Sequence, residues 1–119
     1  MYPEKFITSI KTAVSDAAIE DTVSILISPP GKKPAPRLVE ISSFYNQQSA
    51  EGKACIEKII TESVEQAVFG FLCVLDGVRS IEESKDKGVL SLSHEGRQAT
   101  KLNTDGNLHD LYSQQLIGD

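Results

Sequence analysis

The feature that most constrains this chain is a long apolar stripe at helical spacing. Cys55, Ile56, Ile59, Ile60, Val64, Ala67, Val68, Phe71, Leu72, Leu75 and Val78 recur at intervals of mostly three and four residues. A strand would send alternate side chains to opposite faces, so this run predicts one central helix. Ser49 is placed to cap it, with Glu51 in the first turn, where a carboxylate meets the positive end of the helix dipole. From Ala67 to Leu75 the helix is broadly apolar, which predicts that other elements surround it there. Gly70 and Gly77 fall on nearly one face, where a second backbone can approach closely.

The remaining elements arrange themselves around that helix. Phe6, Ile10, Ala13 or Val14, and Ala17 predict an amphipathic helix over residues 3–17, with Pro3 suited to its first turn. Asp21 or Thr22 can cap a second short helix through Val23, Ile25, Leu26 and Ile27; the β-branched residues there also suit a strand, and we prefer the helix. Residues 29–36, with four of the five prolines, predict an extended surface loop. Leu38, Ile41, Phe44 and Tyr45 mark one apolar face of a helix ending near Asn46 to Gln48. Alternation in residues 89–93, a turn at His94 to Arg97 and a second run over 99–102 predict a β-hairpin. Asn103-Thr104-Asp105-Gly106 is a turn, and Leu108, Leu111, Tyr112 and Leu116 align on a closing helix. The expected fold class is α+β: a mainly helical bundle around one long helix, with a C-terminal hairpin and a short closing helix.

At 119 residues the chain fits one domain, with enough length to bury a core. The formal net charge is −5; residues 1–53 hold six basic and six acidic side chains, whereas 54–119 hold six basic and eleven acidic. That acidic excess repels phosphate, so nucleic acid and anionic membranes are poor partners and a basic protein is a good one. The start, Met1 to Phe6, lacks a secretory pattern, and the longest apolar stretch falls short of the ~20 residues a membrane helix needs. A cytoplasmic protein is the expectation. Cys55 and Cys73 sit eighteen residues apart on one helix, roughly 27 Å at 1.5 Å per residue, too far to bond to each other. Two unpaired thiols suit a reducing compartment.

The chain contains no phosphate-cradling glycine loop, zinc-type cysteine pair, His-Glu-x-x-His or nucleophile-elbow serine. It has two histidines, His94 and His109, which leaves no metal site built on several imidazoles. No cofactor and no enzymatic activity are expected. One constellation is weighed against that expectation. His109 and Asp110 together with Asp76 supply three metal or acid/base groups if the closing helix folds back over the end of the central one, and a small-ligand or enzyme pocket is placed around Asp76, Arg79 and His109. Asp76-Gly77 within a helical pattern costs about 1 kcal/mol against better helix formers and therefore needs a reason, which we read as tight packing at Gly77. Asp76 and Arg79, three apart, can also pair or anchor the hairpin. Glu82, Glu83 and Asp86 make an acidic knot in the loop that follows, and with Glu95 in the hairpin turn they are the expected footprint of a basic protein partner. A third arrangement is a homodimer packed through the central helix around Gly70 and Gly77.

Residues 67–112 also carry a resemblance. The segments Phe69-Gly70-Phe71-Leu72-Cys73-Val74-Leu75-Asp76-Gly77-Val78-Arg79, Lys87-Gly88-Val89-Leu90-Ser91-Leu92, Leu102-Asn103 and Leu108-His109-Asp110-Leu111-Tyr112 look like those of small uncharacterised bacterial proteins. Some of these resemble immunity proteins of contact-dependent and secreted toxin systems. The resemblance implies a cytoplasmic protein that neutralises one cognate toxin by covering its active site or substrate surface, and it brings no catalytic residues with it.

Overall fold

No glycine or proline interrupts residues 4–28, and in the computed structural model one continuous helical run occupies nearly all of them. The structure describes residues 1–83, 85 and 88–116. The run consists of α1 (Pro3–Ile10), a π-helical segment (Lys11–Asp16) and α2 (Ala17–Ile27). The expected break after residue 17 is therefore absent, and the segment we allowed to be a strand is helical. Thr22 does not cap a new helix; its Oγ1 donates back to the Ala18 carbonyl at 2.7 Å. What stops α2 is Pro29, because the preceding Ser28 adopts the extended conformation (φ −152°, ψ 104°) that a following proline favours. The proline loop ends one residue early: Pro36 opens α3 (Pro36–Asn46) at the position where a missing N–H costs nothing.

The central helix, α4, spans Ala50–Leu75. Ser49 caps it as expected, its Oγ accepting from the Gly52 N–H at 3.1 Å. Its far end corrects the sequence reading. Gly77 takes φ +79° and has nothing within 4 Å of the place where a Cβ would stand. Gly77 N–H donates to the Val74 carbonyl at 3.1 Å and Val78 N–H to the Cys73 carbonyl at 3.0 Å. These two bonds and the left-handed glycine make a Schellman stop. Asp76-Gly77 is thus a terminator, and tight packing is not its reason.

Beyond α4, β1 (Ser93–Glu95) pairs antiparallel with β2 (Ala99–Lys101), with His94 opposite Thr100, and α5 (Leu108–Leu116) follows. The second strand falls where expected. The first begins four residues late, so that His94 lies in the strand and the turn moves to 96–98. The backbone just before β1 is occupied otherwise: the Asn103 side chain takes the Leu90 carbonyl and the Leu92 N–H, at 2.9 Å each. The molecule is accordingly α+β and mostly helical, with one hairpin and a C-terminal helix.

Two compact units are resolved, one from residues 1–14 and 66–119, the other from 15–65. In the first, Ile7, Leu72, Leu108 and Tyr112 form the buried core, flanked by Phe6, Val68, Phe69 and Leu75. Each large apolar side chain so buried contributes about 1.5–3 kcal/mol. In the second unit, α2 and α3 lie together. The Leu26 carbonyl, in the last turn of α2 where helical partners run out, accepts from Ser42 Oγ at 2.7 Å and Asn46 Nδ2 at 3.1 Å. This demand turns Ser42 and Tyr45 inward, while Ile41 and Phe44 of the expected apolar face stay exposed, Phe44 by 58%. Burial first, and then the Glu57 carboxylate beside it, raise the Tyr45 hydroxyl pKa above its usual value of 10.0. Among the described residues, no helix is long and apolar enough to cross a membrane.

Candidate functional site

The end of α4 and the start of α5 meet within the first unit, and this junction holds its most organised polar groups. Asp76 follows the last residue of α4, and the Schellman stop fixes its backbone. Its side chain is wholly buried. Oδ2 accepts the backbone N–H of His109 at 2.8 Å and faces His109 Nδ1 at 2.5 Å. The α5 N-terminus is therefore capped by a carboxylate from a residue thirty-three positions earlier, and the same oxygen sets the direction of the imidazole ring. Phe69, about two turns back on α4, meets that ring edge-on with centroids 5.9 Å apart. Nε2 lies 3.5 Å from Asp110 Oδ1. Two further acceptors, Asp76 Oδ1 and Asn107 Oδ1, are buried there with no hydrogen-bonding partner among the described residues.

Asn103 is the second fixture, and the sequence reading saw in it only a turn residue. It is buried. In addition to its bonds to residues 90 and 92, its Nδ2 donates to the Leu75 carbonyl at 2.8 Å. One side chain thereby joins the end of α4, the approach to β1 and the turn before α5. The only local signal was an asparagine opening Asn-Thr-Asp-Gly, and turn chemistry absorbs that signal.

The Asp76, Arg79 and His109 constellation is only partly assembled. Asp76 and His109 meet. The Arg79 guanidinium instead lies against Gly70, where an added Cβ would come 2.5 Å from Nη1. The two glycines do not share one face of α4: Gly70 is buried beneath Arg79, and Gly77 lies past the end of the helix. The arrangement Asp76–His109 has the orientation in which a carboxylate fixes an imidazole for proton transfer. The neighbouring cleft, however, is walled by residues that do not include His109.

This cleft, of about 540 Å³, is lined by the end of α4, residues 79–82 and 88–90, and the turn 103–106. Ile81 and Val89 on its walls are 68% and 88% exposed. Glu82 stands among them, with Oε1 accepting the Gly88 N–H at 3.2 Å, and Asp105 lies on the opposite turn. Of the expected acidic footprint, Glu82 lines the cleft, Glu83 is exposed beside it in sequence, and Glu95 ends β1 away from the cleft lining. Asp86 lies outside the described residues. Among the described residues, no group of three or more His, Cys, Asp and Glu side chains is arranged to hold a metal. Compared with known protein families, curated proteins and solved structures, the chain matches none.

Proposed function

We propose that this chain is an immunity-type binding protein that acts in the cytoplasm by covering a functional surface of one cognate, basic toxin domain. The observation that carries the reading is the surface after α4. Val78, Ile81 and Val89 are exposed there in the same stretch of chain as Glu82 and Glu83. Exposed apolar side chains rimmed by charge are the anatomy of a protein interface: the apolar groups supply affinity, and the carboxylates supply steering and selectivity. The stretch springs from a base held by the Asp76 cap and the Asn103 bridges. A net charge of −5 favours encounter with a basic partner.

The test is co-expression with the toxic product of a neighbouring gene. The wild-type chain should restore growth, and the double charge reversal E82K/E83K should abolish the rescue while leaving the circular dichroism spectrum unchanged. Undiminished rescue by the double variant would remove this footprint from the reading.

A further inference from the structure

We infer that the outer edge of β1 pairs with the same edge of a second copy of this chain, joining the two hairpins into one antiparallel sheet. The inference lies outside the toxin-binding reading and does not depend on it.

Strand geometry decides which backbone groups face outward. The Leu102 N–H donates to the Leu92 carbonyl at 2.8 Å, and the Gly96 N–H to the Gln98 carbonyl at 3.4 Å. In the register that sets Ser93 against Lys101, His94 and Thr100 are the bonded pair between these two. The Leu90 carbonyl and the Leu92 N–H are turned to the same side, onto the Asn103 side chain. No peptide bond among the described residues is cis, so each C=O and the N–H that follows it point to opposite sides. The N–H and C=O groups of Ser91, Ser93 and Glu95 therefore all point away from β2. The three residues are exposed, and among the described residues no backbone group closes this edge.

A row of alternating donors and acceptors is satisfied by another extended backbone, and edges that avoid such pairing carry lysine or proline. Residues 89–95 contain neither. Two-fold antiparallel pairing centred on Ser93 matches the row to itself: Ser91 meets Glu95 of the second copy, Ser93 meets Ser93, and Glu95 meets Ser91. Each outward group then has its counterpart, and the one formal charge on the edge, Glu95, lies opposite a serine. A shift of two residues either way sets one of the three against a residue outside the set. The outer edge of β2 is shorter, with Ala99 and Lys101 facing outward before the turn at Asn103. This match of the β1 edge to itself selects a second copy over an extended segment of another protein.

Sedimentation equilibrium of the full chain reads the association. At about 1 mM the mass should approach twice 13.0 kDa, falling to the monomer value near about 20 µM, as expected for a small interface. Ser93→Pro removes an N–H that the hairpin does not use, and should hold the mass at the monomer value at both concentrations. Ala99→Pro, on the outer edge of β2, should leave the dimer intact. Amide hydrogen exchange of the unaltered chain locates the contact without any substitution. Exchange at Ser91, Ser93 and Glu95 should slow by roughly two- to tenfold between the low and high concentrations, and exchange at Leu92 and His94, already bonded within the chain, by less. A monomer at 1 mM, a dimer undiminished in a folded Ser93→Pro variant, a dimer lost in a folded Ala99→Pro variant, or slowing absent from residues 91, 93 and 95 would overturn the inference.

Discussion

At the residue scale, two side chains fix the junction of α4 and α5 in the first unit, and both act on backbone. Asp76 Oδ2 holds the N–H and the ring of His109 together. Asp76→Ala removes a helix cap and a bond to a charged group, and is expected to destabilise the fold by about 2–4 kcal/mol. His109→Ala leaves the backbone cap in place and should cost about half as much, since only the ring contact is lost. Chemical denaturation of both variants checks the order. If His109→Ala proved the more damaging, the cap would not be the main role of Asp76. Asn103 has three backbone partners from residues 75, 90 and 92. None of these lies near it in sequence, which is why a reading of local pattern passed it by. The association of Asp76 with His109 was legible only as a condition on where the last helix would fold.

At the scale of the elements, periodicity carried most of the information. The central helix, its serine cap, the proline loop and the closing helix all follow from spacing and end signals that act within a few residues. The departures occur where a distant polar group decides. The inward face of α3 is set by the Leu26 carbonyl, which recruits Ser42 and Asn46 from sixteen and twenty residues away, and no apolar count reveals that demand. Asp-Gly at 76–77 was ambiguous for a different reason: the pair is equally at home in a costly helix interior and in a stop, and only the φ of +79° separates them. This yields a prediction. Gly77→Ala meets no steric neighbour, yet should cost about 1–2 kcal/mol from the left-handed conformation alone. Thermal unfolding monitored by circular dichroism measures it, and a neutral effect would mean that residue 77 leaves that conformation without loss.

At the scale of the whole molecule, charge governs the approach of partners and apolar contact governs their departure. For the proposed toxin partner, raising ionic strength from about 0.01 to 1 M shortens the screening length from roughly 30 to 3 Å. The association rate should then fall by at least about tenfold while the dissociation rate changes little. Stopped-flow mixing with the purified partner separates the two, and a salt-independent association rate would argue against electrostatic steering. The unit that displays the cleft is assembled from residues 1–14 and 66–119, with Ile7 packed among Leu72, Leu108 and Tyr112. During synthesis, α1 therefore leaves the ribosome long before its partners exist. At 5–20 residues per second, roughly 5–20 s separate the emergence of Ile7 from that of Tyr112. Throughout that interval the first helix is an apolar surface without a core, and a chaperone that shields it would shape the yield of folded protein.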